Sequence, residues 1–244
     1  MAEKPNEKLG PGYADLDPAV ATDLVAANHI LAENGVLDSF GHVSVRDPRN
    51  PNRYLQMQAM APRDVMVADV ITFDLDSNPI DANGRSPYRE RFIHGQIYKV
   101  RPDVNAVVHS HSPTIIPFSV TEKPLRAVFH NGHFLGQGVP VWEIREHAGV
   151  QNNMLVLTNE LGQSLAQALG KGSVILMRGH GNAVAGPDLK TAVFRAIYTE
   201  VNAKLQMQAV MLGGPINFLN EFEQLKAQNV DRPWATWKKQ VGAP

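Results

Sequence analysis

The apolar residues near the start of the chain repeat with helical spacing. Within residues 17–35 they fall three or four positions apart: Val20, Leu24, Ala27 and Leu31. Asp17 is a residue type that caps helices, Pro18 suits a first turn, and Gly35 is typical of the position where a helix ends. Together these features predict a first helix with one face packed on the core.

Strand-like alternation follows this helix. In residues 41–47, Val43 and Val45 fall on one side, and the polar residues fall on the other: His42, Ser44 and Arg46. This alternation predicts a half-buried strand. Residues 53–58 and 70–79 predict two further strands, the second of which ends in a turn.

Residues 86–103 return to helical spacing. Ser86 is a candidate N-cap, Pro87 suits the first helical position, and Pro102 lies beyond the end. The buried stripe of this segment consists of Ile93, Ile97 and Val100. We therefore predict a helix that begins at Ser86.

The rest of the chain mixes short strands with helices. The predicted elements, in order, are a strand at 105–111, a loop and short-strand region at 114–142, a helix at 158–170, two short apolar runs around a Gly-His-Gly turn at 173–186, and a long final helix at 188–214. The strands are too short and varied for a regular βαβ array, so a mixed or antiparallel sheet flanked by helices is expected. Residues 16–244 are predicted to form one α/β domain after a flexible polar tail at 1–15.

Composition narrows the class of protein. The chain has 244 residues, 43% of them hydrophobic, and a formal net charge of −1, which gives no electrostatic basis for binding nucleic acid or an anionic membrane. It contains no cysteine, which excludes disulfides and thiolate metal sites. No apolar run approaches the roughly 20 residues needed to span a bilayer, and residues 1–15 lack the apolar core of a signal peptide. We therefore expect a cytoplasmic soluble protein.

The stretch VVHSHSP, residues 107–113, places two histidines one residue apart at the end of a predicted buried strand. Residues i and i+2 of a strand point to the same face, so His109 and His111 could bind one metal ion; alternatively, they are polar side chains that cap the strand. His180 offers a third imidazole, between glycines that allow a sharp turn and close backbone approach. Three imidazoles leave one coordination position open, as in catalytic zinc sites, and they also suit iron or nickel without excluding manganese.

Glu90 is the candidate acid/base. It falls in the first turn of the predicted helix, four residues before His94 and on the same face. One interpretation is a solvated carboxylate favoured by the helix N-terminus; the other is a carboxyl group beside a dication that moves a proton to or from a substrate carbon. A second pair, His130 and His133 in HNGH, is either another metal pair or a pair that lines the pocket or hydrogen-bonds locally.

Four motifs occur in an order and spacing that resembles the class II aldolase/adducin family: GHVSVR, ERFIH at 90–94, RPDVNAVVHSH at 101–111 and RGHG at 178–181. The resemblance implies a three-layer α/β/α fold with a mainly antiparallel central sheet. It also implies a fourfold-symmetric homotetramer with active sites at subunit interfaces. In this sequence it implies His109, His111 and His180 as ligands of one divalent metal per subunit. Zinc and manganese are the leading candidates and iron the third. Glu90 would be the catalytic acid/base and would also bind the metal when substrate is absent.

The sequence departs from the sugar-phosphate aldolases of this family where they bind phosphate. His42 stands where those members carry an asparagine, and Tyr88-Arg89 replaces a pair of small hydroxyl residues. The stretches HSHSPTIIPFSV, FLGQGVPVWEIRE and LMRGHG are instead similar to a branch containing decarboxylases of hydroxylated aromatic or pyridine dicarboxylates. This resemblance implies a metal-dependent decarboxylase of a hydroxylated aromatic or heteroaromatic carboxylic acid, active in aromatic catabolism. The metal would stabilise the carbanion or enolate.

Three other functions stay open at this stage. They are a class II aldolase that cleaves a small unphosphorylated hydroxy-oxo acid, an iron-dependent oxygenase, and a metal-free scaffold like the adducin head. Four residues are candidates for contact with the substrate: His42, Tyr198, Arg89 and Arg91. The two arginines are candidate carboxylate partners. Tyr198 would reach the site of an adjoining subunit, although an aromatic at helical spacing also suits a core.

Overall fold

The computed structural model describes residues 16–223 and 229–243, so the predicted tail at 1–15 lies outside the described residues. A seven-stranded sheet in the order β3-β2-β1-β4-β7-β6-β5 organises this part of the chain. The strands are β1 (His42–Arg46), β2 (Arg53–Met57), β3 (Val70–Asp74), β4 (Ala106–Ser110), β5 (Val141–Trp142), β6 (Val174–Met177) and β7 (Gly181–Gly186). Every pairing is antiparallel except that of β5 with β6, which is parallel. The predicted mainly antiparallel sheet is confirmed.

Helices cover both faces of the sheet. They are α1 (Pro18–Glu33), α2 (Phe92–Val100), α3 (Ile116–Ser119), α4 (Arg145–Ala148), α5 (Asn159–Leu169), α6 (Leu189–Leu212) and α7 (Asp231–Gln240), with short 3₁₀ turns at Val67–Asp69 and His130–Leu135. The predicted cap of α1 is present, since the Asp17 side chain accepts a hydrogen bond from the N–H of Ala19. None of the helices in the described ranges has the length and apolar character that crossing a bilayer requires.

Alternation along the strands divides the core into two layers. On β4, Val108 packs in the apolar cluster that contains α1 and α6, whereas Val107 packs in the cluster that contains α2 and α5. Ile93 and Ile97 of α2 are fully buried in the second cluster, and burial of each contributes about 1.5–3 kcal/mol. The result is the expected three-layer α/β/α arrangement.

The helix predicted from Ser86 begins later than expected. Helix α2 starts at Phe92, and Glu90 lies in the turn before it rather than in its first turn. Pro87 forms an isolated antiparallel bridge with Gln58, and the carbonyl of Ser86 accepts a hydrogen bond from the N–H of Ala59, so this segment pairs with a neighbouring extended segment instead of starting the helix. The predicted cap at Ser86 is therefore wrong, and Glu90 is held by an irregular segment. The helix at 188–214 is also not the last, because α7 follows it.

Strand β1 is buried on both faces, which corrects its prediction as a half-buried strand. All five of its residues are buried. Val43 and Val45 pack in the α1 and α6 layer as expected, but the polar face lies under α2. There, Ser44 contacts Tyr98, and Arg46 donates to the carbonyl oxygens of Tyr98 and Val104. Polar side chains on β1 therefore carry buried hydrogen bonds rather than contacts with solvent.

Candidate active site

The candidate site lies at one end of the three central strands. Because β1, β4 and β7 run antiparallel, the beginning of β1, the end of β4 and the beginning of β7 meet at the same edge of the sheet. His42 on β1 pairs directly with His109 on β4, and Ser110 pairs with Asn182 on β7. His111 follows β4, and His180 immediately precedes β7. The topology therefore brings together histidines that are far apart along the chain.

Three imidazoles converge at this edge. The Nε2 atoms of His109 and His111 are 3.1 Å apart, and those of His111 and His180 are 3.2 Å apart. With a carboxylate oxygen of Glu90, these residues offer four candidate ligand atoms that all lie within 4.8 Å of one another. We call His109, His111 and His180 the imidazole cluster. In the described residues this is the one group of three or more histidines, aspartates or glutamates with such geometry.

The hydrogen bonds at the Nδ1 atoms decide which nitrogen of each imidazole in the cluster carries the proton. His109 Nδ1 lies 3.1 Å from the carbonyl oxygen of Asn182, and His180 Nδ1 lies 2.8 Å from that of Met154. A carbonyl only accepts, so both Nδ1 atoms carry the proton and donate it. His111 Nδ1 lies 3.5 Å from a carboxylate oxygen of Asp38, which is also a hydrogen-bond acceptor. The Nε2 lone pairs consequently face one another, an arrangement that a bound cation neutralises. The donor set therefore fits a divalent metal.

The Gly-His-Gly turn sets the position of His180. Gly179 has a φ of +65°, a conformation that glycine adopts without steric cost. A Cβ on Gly181 would overlap the carbonyl oxygen of Ser110. Both features were expected from the sequence, and together they bring His180 against the end of β4.

Glu90 faces the imidazole cluster. One carboxylate oxygen lies 3.4 Å from His180 Nε2 and 3.8 Å from His109 Nε2, while the other accepts a hydrogen bond from the N–H of Val156. Burial opposes ionisation of Glu90, but the contact with His180, the nearby His109 and the Val156 N–H outweigh it and lower the pKa of Glu90 to about 2. Burial likewise opposes charge on His180, yet Glu90 raises the pKa of that imidazole. Glu90 is therefore a carboxylate at neutral pH.

A loop that the sequence did not point to holds two of these groups. The carbonyl of Met154 accepts from His180, and the N–H of Val156 donates to Glu90. Met154 has a φ of +64°, which is strained for a side chain of its size. The side chain of Asn152 accepts a hydrogen bond from the Met154 N–H at 2.9 Å. The consecutive asparagines at 152 and 153, a residue type common in turns, are the one signal in the sequence for this bend.

A cavity of about 580 Å³ opens beside the imidazole cluster. Its apolar walls come from Phe40, Ala59, Met60, Ala61 and Leu155. Its polar lining includes His42, Arg89, Glu90 and His111. Tyr88 also lines it, but its hydroxyl donates to the carbonyl of Met60. The cavity is thus mainly apolar, with one arginine and a metal-binding donor set along its wall.

The candidate substrate contacts fall in different places. His42 and Arg89 line the cavity, whereas Arg91 donates to the carbonyl oxygens of Ser77 and Tyr88 and lies over the ring of Phe92. Tyr198 stacks on Phe194 with ring centroids 4.3 Å apart and is not part of the cavity lining.

The HNGH pair makes a local contact. His133 Nδ1 lies 3.0 Å from the carbonyl oxygen of His130, within the 3₁₀ turn. Neither histidine belongs to the metal-compatible group found in the described residues. The local interpretation of this pair therefore agrees with its geometry.

A second histidine group, which the sequence analysis missed, lies behind His42. His42 Nδ1 is 2.7 Å from His94 Nε2, and His94 Nδ1 is 2.6 Å from the hydroxyl oxygen of Ser44. Ser44 in turn lies 2.7 Å from the hydroxyl of Tyr98. We call these four buried residues the histidine relay. Burial, with the neighbouring imidazoles of His94 and His111, keeps the pKa of His42 well below its ordinary value.

Comparison with known proteins agrees with this geometry. The chain is 33% identical to Decarboxylase tropJ of Talaromyces stipitatus over 89% of this chain and 92% of that protein. It is 27% identical to the 3,4-dihydroxyphthalate decarboxylase of Arthrobacter keyseri over 96% of this chain and 97% of that protein. The expectation of a carbon–carbon lyase is confirmed by these relatives.

The fold also matches solved structures. An L-fuculose 1-phosphate aldolase from Glaciozyma antarctica PI12 superposes with a TM-score of 0.73 at 23% identity, covering 92% of this chain and 90% of that chain. Residues 22–207 match the family model described as Class II Aldolase and Adducin N-terminal domain. That match covers well over half of the 244 residues, so the chain belongs to the class II aldolase and adducin family.

Proposed function

We propose that this protein is a metal-dependent decarboxylase of a hydroxylated aromatic or heteroaromatic carboxylic acid. The observation that carries the proposal is the convergence of the imidazole cluster and Glu90 at the wall of a mainly apolar cavity. The decarboxylase relatives support the reaction type.

His109, His111 and His180 would hold the metal through their Nε2 atoms, and Glu90 would complete the site when substrate is absent. Zinc and manganese are our first candidates, and iron is the third. When bound, such a dication stabilises negative charge that develops on substrate oxygens as the C–C bond breaks.

The cavity supports a planar, weakly polar substrate. Phe40, Met60 and Leu155 offer apolar contact to a ring, and Arg89 offers an ion pair to a carboxylate. No carboxylate of the described residues forms an ion pair with Arg89. The tyrosine hydroxyl at 88 is occupied by the Met60 carbonyl, so it offers no free donor to a phosphate. This combination favours an aromatic acid over a sugar phosphate.

Glu90 would move the proton. As a resting carboxylate it accepts the proton of the substrate's ring hydroxyl. The bond from the ring carbon to the carboxylate then breaks, CO₂ leaves, and the bonding pair stays on the ring carbon. Glu90 returns its proton to that carbon and is again a carboxylate. The product hydroxyl regains a proton from solvent, so the balance is one proton consumed for each CO₂ released.

The test is CO₂ release from a panel of hydroxylated aromatic and pyridine carboxylic acids by zinc- or manganese-loaded protein. Matched reactions contain chelated protein or the Glu90→Gln variant. We expect CO₂ and a carbon-protonated product with at least one acid, and neither in the two controls. Aldehyde or oxo-acid release from a hydroxy-oxo acid would instead identify an aldolase, and oxygen uptake with ferrous ion an oxygenase. A protein that binds no metal would be a scaffold.

We also propose that the protein assembles as a homotetramer whose subunit interfaces complete the sites. Large apolar side chains are exposed at the end of α6 and after it: Val210, Met211, Leu212 and Phe222. Such residues are typical of a surface that another chain covers. Tyr198, partly exposed on α6, is our candidate for contact with a neighbouring site. Light scattering should give four times the chain mass of 26.8 kDa, and a monomer would contradict the proposal.

A further inference from the structure

The histidine relay forms a continuous buried chain from the layer under α2 to the cavity wall. His94 and Tyr98 lie on α2, four residues apart, and Ser44 and His42 lie on β1, two residues apart. All four side chains are buried, with at most 2% of any residue exposed. Each contact along the chain is 2.6–2.7 Å. Helical and strand periodicity therefore place both pairs on facing surfaces.

The relay has a direction, which follows from its two ends. At one end, burial raises the pKa of the Tyr98 phenol, so this hydroxyl keeps its proton, and it donates that proton to Ser44, its hydrogen-bond partner among the described residues. Ser44 then donates to His94 Nδ1, which leaves the His94 proton on Nε2. At the other end, Gln56 directs its amide nitrogen at His42 Nδ1 from 3.3 Å. In this orientation of the Gln56 amide its N–H donates to His42 Nδ1, while its Oε1 has no hydrogen-bond partner among the described residues.

From this geometry we infer that His94, oriented by Ser44 and Tyr98, is a positioning residue that fixes His42 as an Nε2–H donor to an anionic oxygen of the substrate. The nature of that oxygen, a carboxylate or ring oxygen, rests on the proposed function; the direction of the relay does not. His42 lines the cavity, and the hydrogen bonds that its ring forms with described residues are both at Nδ1. A protonated Nε2 cannot bind a metal, so His42 differs in role from the neighbouring His109.

The ring of His42 is also held in place. It lies between Tyr88 and His109, with centroid distances of 4.6 Å and 5.0 Å. Because the relay holds His42 Nδ1, the imidazole ring need not reorient before its Nε2–H donates to the substrate. Pre-organised donors of this kind stabilise developing charge most effectively.

The test uses two substitutions of one residue. His94→Gln keeps an N–H donor near the position of Nε2, whereas His94→Leu removes it. We expect kcat/KM of the leucine variant to fall by about 10-fold, the effect of one lost hydrogen bond, and the glutamine variant to recover most of it. Zinc content should stay the same in both variants. Unchanged kcat/KM in the leucine variant would overturn the inference.

A spectroscopic measurement tests the relay without any substrate. Long-range ¹H–¹⁵N spectra of the zinc-loaded wild-type protein, with His42 assigned through a His42→Gln variant, report which nitrogen carries the proton. We expect Nε2–H for His42 in the wild type and in His94→Gln, and a shift toward Nδ1–H in His94→Leu. A wild-type His42 protonated on Nδ1 would overturn the inference even if the leucine variant does not fold. If the expected tautomer is found but no acid is decarboxylated, the relay stands and the proposed function fails.

Discussion

The imidazole cluster and the histidine relay are neighbours, yet they use their ring nitrogens in opposite ways. In the cluster, the Nδ1 atoms of His109 and His180 are engaged by backbone carbonyls, and the Nε2 atoms are left facing one another. In the relay, His42 and His94 bind each other directly. A ring nitrogen with a free lone pair can bind a cation, whereas a histidine whose Nδ1 is already hydrogen-bonded is held as a fixed donor through its other nitrogen. The partner of Nδ1 therefore distinguishes a ligand histidine from an orienting one.

The largest effect is expected from removing a member of the cluster. In His109→Ala, two imidazoles remain, so metal affinity should fall by more than the roughly 10–100-fold that follows loss of an outer-shell partner. Metal analysis after dialysis measures this, and decarboxylation should be lost with the metal. His133→Ala, in the 3₁₀ turn and outside the cluster, is the matched control. Full metal content in the His109→Ala variant would show that the imidazole cluster is not the metal site, so it would no longer differ in this role from the histidine relay.

Glu90→Gln should separate chemistry from metal binding. The amide oxygen can still accept from the Val156 N–H, and the imidazole cluster is unchanged, so metal content should stay near that of the wild type. Turnover should fall by about 10²–10⁴-fold, the usual contribution of a general acid/base. Steady-state CO₂ release and metal analysis on the same preparation measure both quantities. Wild-type turnover would exclude Glu90 from proton transfer.

How well each group could be predicted depends on how local its residues are. His109 lies on β4 and His111 directly follows that strand, and the glycines around His180 indicate a turn, so periodicity and motif were enough to nominate all three. The relay joins β1 to a helix about 50 residues later, and alternation alone made the polar face of β1 resemble a solvent-facing one. Only the packing of α2 over that face shows that His42 and Ser44 are buried. The Met154 loop and the late start of α2 were missed because local backbone strain and the bridge at Pro87 depend on tertiary contacts.

Gly181→Ala should test whether the position of His180 depends on close backbone approach. An added Cβ would overlap the Ser110 carbonyl and force β7 away from β4, at a cost of about 1–3 kcal/mol in the free energy of unfolding. Urea unfolding in chelator measures this cost without the contribution of metal. Gly84→Ala is the control: its φ is +84°, but its Cβ would meet no atom within 4 Å, so only backbone strain of about 1 kcal/mol is expected. An equal decrease in the free energy of unfolding of the two variants would show that close approach of the Ser110 carbonyl to Gly181 does not limit the residue at this position.

A further effect is expected in the pH dependence of stability, because the His94→Gln variant has one buried titratable group fewer than the wild type. Burial lowers the pKa of His94 to about 3, from an ordinary 6.5. Between these values the unfolded chain binds a proton that the folded chain does not, so stability falls as pH falls below 6.5, by up to about 1.4 kcal/mol per pH unit for this group. His94→Gln keeps the donor to His42 but cannot titrate, so its unfolding free energy in chelator should decline less steeply from pH 6 to pH 4. Parallel slopes in urea unfolding would mean that His94 is not held neutral, and the relay would then lack the fixed hydrogen that orients His42.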